Sequence, residues 1–231
     1  MIKYFCMSKQ VEEISKYLKN LEDFSLPTYE EFPPIPLYME QVVSYVTECL
    51  CSLTDGDDNS IITPFMVNNY VKARIINPPK EKKYNKEHMA YLLAISLLKS
   101  VVPMKDIATF IDLDKEIFQE KRNLYNFFKE IQDETIHKEV HKTKVRLDSL
   151  AKNNKKKSSN SKTKEDIENL NLSYIALRLY IESETTKQLA DIIMKQVSQE
   201  LLPKDVLKET RKEVALGNKK QNKEAKKIGN R

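Results

Sequence analysis

Glycine is nearly missing from this chain. Three glycines in 231 residues, Gly56, Gly217 and Gly229, leave little for hairpin turns or for the glycine loops that cradle phosphates. No apolar run approaches the ~20 residues that a membrane span needs, so no membrane role is expected. The opening Met1-Ile2-Lys3-Tyr4-Phe5-Cys6 lacks the apolar core and small-residue cleavage site of a secretory signal. Cysteine is scarce as well. Cys6, Cys49 and Cys51 are odd in number and form no disulfide framework, which fits a reducing, cytoplasmic setting.

What is present favours helices. Hydrophobic residues make up 40% of the chain and charged residues 32%, a balance that suits folded helices with solvated faces. Long strings of Leu, Ile, Lys and Glu with few turn signals point to an all-α class. The net charge of +5 is unevenly spread. Residues 1–60 carry Lys3, Lys9, Lys16 and Lys19 against eleven acids from Glu12 to Asp58. Between 61 and 105 the balance reverses: Lys72, Arg74, Lys80, Lys82, Lys83, Lys86, Lys99 and Lys105 face only Glu81 and Glu87. That middle segment is a candidate surface for a polyanion, although any single lysine is more simply read as solubilising a helix.

Apolar spacing predicts the elements. Val11, Ile14, Leu18 and Leu21 mark a helix over Ser8 to Asp23. Pro27, Pro33, Pro34 and Pro36 then favour an extended linker. Leu37 to Leu53 reads as a second helix, and Asp55 to Ser60 as a polar turn. Thr63 is a suitable N-cap with Pro64 at the first helical position, opening a helix to about Arg74 that buries Val67, Tyr70 and Val71. Pro78 and Pro79 stop it. Asn85 caps the next helix, which holds Met89, Leu92, Leu93 and Ile95, and Pro103 opens a short one. Ile117 to Leu150 forms one long amphipathic helix or two nearly collinear ones. Lys152 to Lys164 is expected to be a mobile loop. In the last long helix, Ile167 to Leu202, the stretch Leu170 to Ile181 is apolar nearly all round and is expected to be buried. Pro203 starts a shorter helix before a basic tail from Gly217 to Arg231.

One segment carries a functional pattern. Ile62-Thr63-Pro64-Phe65-Met66-Val67-Asn68-Asn69-Tyr70-Val71-Lys72-Ala73-Arg74-Ile75-Ile76-Asn77-Pro78-Pro79 resembles the opening of MerR-type DNA-binding domains. In those, a Thr or Ser caps the recognition helix, a Tyr closes it, and an apolar pair with prolines leads to a wing. Lys82-Lys83-Tyr84-Asn85-Lys86-Glu87-His88-Met89 is similar to that family's wing, and Val102-Pro103-Met104-Lys105-Asp106-Ile107 to its fourth-helix entry. The resemblance covers Ile62 to Ile111. The whole chain, including Pro34-Ile35-Pro36-Leu37-Tyr38-Met39, also resembles an uncharacterised bacterial domain family of unknown function.

The MerR resemblance implies a winged helix-turn-helix that reads duplex DNA as a transcriptional regulator. The residues expected to meet DNA are Thr63, Met66, Asn68, Asn69 and Lys72 of the helix, with Lys80, Lys82, Lys83, Tyr84 and Lys86 of the wing. Chemically, Asn can pair in bidentate fashion with adenine, and wing lysines can neutralise phosphates. Tyr84 has two roles open to it, donating its hydroxyl to a phosphate or packing the wing. This sequence departs from the family at Asn68-Asn69, where MerR proteins commonly carry Arg-Tyr, and its wing is short and lacks the usual glycine. The alternative function is a helical protein-interaction module on a repurposed scaffold.

Other chemistry finds little support in the residues. His137 and His141 share a helix face at i and i+4 with no third metal ligand evident, so an exposed polar face explains them better. Cys49 and Cys51 point apart on a helix and make no redox or zinc motif. With no nucleophile–base pair, paired catalytic carboxylates or phosphate loop, neither an enzyme nor a cofactor is expected.

The expected architecture is all-α: an N-terminal helix and Pro-rich linker over 1–36, a MerR-like winged domain with a short wing over 37–113, and a long-helix bundle over 114–216 with a loop at 152–164. A disordered tail over 217–231 completes it. Two short strands within Asn77 to Tyr84 would make the wing; the helix Ile117 to Leu150 either pairs two copies into a homodimer or is covered within one chain by Leu170 to Ile181 folding back on it.

Overall fold

The computed structural model describes residues 9–54, 61–117, 121–154 and 161–201. Cys6, the turn Asp55 to Ser60, the helix after Pro203 and the tail from Gly217 lie outside the described residues. The described chain is mainly helical, as its composition implies. Seven helices run α1 (Lys9–Glu22), α2 (Met39–Leu50), α3 (Pro64–Lys72), α4 (Lys86–Leu98), α5 (Met104–Ile117), α6 (Lys121–Asn154) and α7 (Ser161–Leu201). A 3-10 turn, Cys51–Leu53, extends α2. The strands β1 (Leu37–Tyr38) and β2 (Lys83–Tyr84) pair antiparallel, Leu37 opposite Tyr84 and Tyr38 opposite Lys83. No helix among the described residues is long and apolar enough to cross a membrane.

The chain forms two compact units, Met1–Tyr180 and Ile181–Arg231. The first holds the main core, centred on α4. Its Met89, Leu92, Leu93 and Ile95 are fully buried, packed with Val42 and Val46 of α2, Val67 of α3 and Ile107 of α5. Asn85 starts α4 as expected: its side chain accepts from the His88 amide at 3.2 Å, satisfying one of the amides that a helix N-terminus leaves over.

The Pro-rich segment is packed structure rather than a linker. Leu26 and Phe32 are fully buried in the main core, and the Phe32 ring packs, tilted, against Tyr125 of α6 at 4.9 Å. Proline denies this stretch a hydrogen-bonded ladder of its own, so its carbonyls and amides find partners on α6. The Tyr125 hydroxyl donates to the Pro27 carbonyl at 2.9 Å, and the Leu26 amide donates to Asp133 at 3.4 Å. The Ser25 hydroxyl donates to Asp133 at 2.7 Å, and Lys129 pairs with the same carboxylate at 2.6 Å. The core of the expected winged region therefore draws on residues before 37 and after 113.

A second cluster joins α1 to α6 through Leu18, Val140 and Leu147, with Ile14, Leu21, Leu172 and Ile175 partly buried around it. Much of the α6 apolar stripe is thus covered within the chain. Two expectations fall here. Lys152–Asn154 and Ser161–Lys164 are helical, extending α6 and α7 into the expected loop, and residues 155–160 between them lie outside the described ones. Leu170 to Ile181 is helical but not buried: Leu170, Tyr174, Leu177, Tyr180 and Ile181 are all more than half exposed. An all-round apolar sequence shows only that a helix needs cover, not that the same chain supplies it.

Of the second unit, residues 181–201 are described, and all are helical. Leu189, Ile192 and Ile193 are exposed there, while Lys187 pairs with Asp191 at 2.7 Å and Gln188 bonds Glu184 at 2.9 Å along the polar side.

Candidate nucleic-acid interface

Helix α3 is short because both ends are chemically fixed. The Thr63 hydroxyl accepts from the Met66 amide at 3.2 Å, and Pro64 occupies the first turn, where its missing N–H costs nothing. At the other end Arg74 sits at φ 58°, in the left-handed region. The Ile75 amide reaches back to the Tyr70 carbonyl at 3.0 Å and the Arg74 amide to Val71 at 3.0 Å. That bond pair is a Schellman motif, which usually has glycine at the left-handed position. Ile75 and Ile76 are carried into the core as a result, and Arg74 is left exposed.

Between these stops the helix divides cleanly. Val67 and Tyr70 face the core. Phe65, Asn68, Asn69 and Lys72 are exposed, at i, i+3, i+4 and i+7, so they line one outward face. Phe65 is 73% exposed. Sequence reasoning passed over it, although the same spacing rule placed it beside the two asparagines. It counted Arg74 in the basic segment but left it out of the DNA-facing residues, because a left-handed arginine leaves no pattern in a single sequence.

The segment expected to form a two-stranded wing is a tight turn. Lys80 and Lys83 form an isolated antiparallel bridge, and the Lys83 amide donates to the Lys80 carbonyl at 2.9 Å. Glu81 and Lys82 between them have φ of 51° and 62°, both positive, the signature of a type I′ turn. Such turns normally use Asn-Gly. Here the glycine-poor sequence makes one from two residues that each carry a Cβ against the left-handed backbone. The partner of Lys83–Tyr84 is Leu37–Tyr38, which sequence reasoning placed at the start of a helix.

The expected DNA-facing side chains fall into two groups. Asn68, Asn69, Lys72, Lys80 and Lys82 are exposed, and among the described residues no ion pair engages their lysines. Thr63, Met66, Lys83, Tyr84 and Lys86 build the scaffold. Thr63 is the cap. Met66 is half-buried, with the Lys99 ammonium 3.7 Å from its sulfur. Lys83 lies over the Tyr38 ring at 5.3 Å, its cross-strand neighbour. Lys86 donates to the carbonyls of Glu30 at 2.8 Å and Tyr29 at 3.3 Å, tying α4 to the Pro-rich segment.

Tyr84 is 3% exposed, and burial pushes its hydroxyl above the usual tyrosine range. Of its two open roles, packing is the one seen: the ring stands edge-on to His88 of α4 at 5.3 Å. His88 in turn holds the loop between α3 and the turn at Glu81-Lys82. Its Nε2 lies 3.1 Å from the Asn77 carbonyl, while Nδ1 lies 3.1 Å from the Asn85 backbone amide and 2.6 Å from the Asn85 side-chain oxygen.

The other singled-out groups serve structure. His137 bridges the carbonyls of Asp133 and Glu22 at 2.7 and 3.1 Å, joining α6 to the end of α1. Cys49 is half-buried, and desolvation pushes its thiol up. Among the described residues, no three His, Cys, Asp or Glu side chains are grouped to hold a metal ion.

Neither a curated protein nor a solved structure matches the chain. Residues 27–131, the stretch that holds the Pro-rich segment, α3, the basic turn, α4 and the Tyr125 anchor, match the model of the DUF1836 family, a domain of unknown function.

Proposed function

We propose that this protein binds duplex DNA and acts as a transcriptional regulator, with α3 entering the major groove as in MerR-type domains and the basic turn beside it meeting the backbone. The observation that carries this reading is the outward face of α3. Phe65, Asn68, Asn69 and Lys72 present an apolar, two amide and one cationic group in helical register, backed by buried Val67 and Tyr70. Amides read adenine edges, a phenyl ring suits a thymine methyl, and the lysine suits a phosphate. Arg74, Lys80 and Lys82 add exposed positive charge at the helix end and turn.

Arg74 also answers the departure at Asn68-Asn69. It supplies a guanidinium near the helix end, in place of the one that MerR-type helices carry within.

The second reading is a protein-contact surface on the same scaffold, and the exposure of Phe65 favours it. Salt separates the two. Fluorescence polarisation with duplex DNA from upstream of the protein's own coding sequence, at two salt concentrations, should give binding that weakens steeply with salt. No binding at low salt rules out the DNA reading and leaves the protein-contact one.

A further inference from the structure

Phe65 is the odd member of the outward face of α3. Its ring is 73% exposed, and among the residues of that helix it is the one large hydrophobic side chain left to water. The fold does not need it there. The Thr63 cap and Pro64 already fix the start of the helix, and Val67 and Tyr70 fill its buried side. The groups around the ring suit nucleic acid instead. Asn68, Asn69 and Lys72 follow it on the same side of the helix. From Ile61 to Lys80 the chain holds no acidic residue, while Lys72, Arg74 and Lys80 are exposed. A partner protein held by apolar contact needs an interface of about 800 Å² per side, built from many side chains. A lone ring set among amides and cations fits a smaller apolar target.

We infer that Phe65 reads the 5-methyl group of a pyrimidine in the major groove, within about two base pairs of the adenine that Asn68 or Asn69 recognises. The inference rests on the DNA reading above and adds a base preference to it. The major groove displays that methyl at thymine and a bare C5–H at cytosine or uracil, so an apolar side chain tells them apart. Phe65 and Asn69 lie about one helical turn apart, roughly 6 Å along the axis, and base pairs rise by about 3.4 Å, which sets the two-pair limit. Cytosine methylated at C5 carries the same group in the same place, so it substitutes for thymine at this contact. The contact carries no charge, releases no counterion and leaves the salt dependence of binding alone.

Polarisation with the full chain and duplex DNA from upstream of its own coding sequence, made once with thymine and once with deoxyuridine throughout, tests this. Wild type should bind the uracil duplex about fourfold more weakly, the worth of one buried methyl group, at every salt concentration. Phe65→Ala should bind the two duplexes alike, with circular dichroism and the logarithmic salt slope unchanged, because the ring is exposed. Single replacements then locate the methyl. The sensitive thymine should lie within about two base pairs of an adenine that Asn68→Ala or Asn69→Ala ceases to distinguish. At that thymine's position 5-methylcytosine should bind about fourfold better than cytosine. Equal wild-type binding of the thymine and uracil duplexes overturns the inference and leaves DNA binding standing, as does a uracil penalty that Phe65→Ala keeps. Failure to bind any duplex at low salt removes the DNA reading along with it and leaves a partner protein as the occupant of the ring.

Discussion

The Ile75 amide and the Tyr70 carbonyl are 3.0 Å apart, and that bond ends α3 only because Arg74 between them adopts φ 58°. A left-handed conformation costs a residue with a Cβ roughly 1–2 kcal/mol, and glycine escapes most of it. Arg74→Gly should therefore stabilise the fold by about 1 kcal/mol, read as a raised urea midpoint. If Arg74 meets a phosphate, the same variant should bind DNA more weakly. A variant that gains stability and keeps full affinity would leave Arg74 no part in binding.

The turn at Glu81-Lys82 predicts a similar split. Replacing the pair by Asn-Gly, the residues that type I′ turns prefer, should add about 1–2 kcal/mol of stability, since both positions hold positive φ. Loss of the Lys82 charge should flatten the logarithmic salt dependence of DNA binding by about one unit. Equilibrium unfolding and a salt titration of the same variant check both halves.

Phe32 tests whether the Pro-rich segment is structural. It is fully buried and packed against the Tyr125 ring, so Phe32→Ala should cost about 3–5 kcal/mol, enough to unfold much of a marginally stable domain. Ile35→Ala, in the same segment but exposed, should change stability by less than about 0.5 kcal/mol. Thermal unfolding of the two variants gives the comparison.

How much of this was legible beforehand depends on whether the cause was local. Thr63-Pro64 and Asn85 announced their helices because caps act within four residues, and both helices begin where those residues place them. Val67 and Tyr70 were readable as core for the same reason. Leu37–Tyr38 was misread as helix because its strand character comes from pairing with Lys83–Tyr84, far along the chain. Leu26 and Phe32 looked like linker residues because their partners Asp133 and Tyr125 are about a hundred positions away. Leu170 to Ile181 was legible as helix, but its cover depends on what the rest of the chain leaves open. At the candidate site Asn68, Asn69, Lys72, Lys80 and Lys82 stand exposed, and the buried place of Tyr84 depends on His88 and the β1 pairing.

Alkaline pH should weaken the fold. Burial pushes the hydroxyls of Tyr45, Tyr70, Tyr84 and Tyr125 above the ordinary value near 10. A raised folded value means that stability is fully present below pH ~10 and is lost as pH climbs through the folded values, since the unfolded chain releases these protons first. Absorbance titration at the tyrosinate band should show a class of tyrosines that ionises only as circular dichroism is lost. A single class with the fold intact would contradict the burial of these four rings.

If α3 and the turn beside it meet DNA, affinity must fall steeply as salt rises. Lys72, Arg74, Lys80 and Lys82 give up to four phosphate contacts per chain, so the logarithm of the association constant should fall with the logarithm of salt at a slope of about −3.6 per chain. Lys72→Ala should reduce that slope by about one unit and weaken binding evenly across sequences. Asn69→Ala should instead cost about 1–3 kcal/mol on the preferred site alone. Polarisation of a labelled duplex over 50–200 mM salt, with wild type and both variants, is the measurement. A steep wild-type slope that Lys72→Ala flattens is the predicted result, and a slope near zero, or one that the α3 variants leave unchanged, contradicts the account.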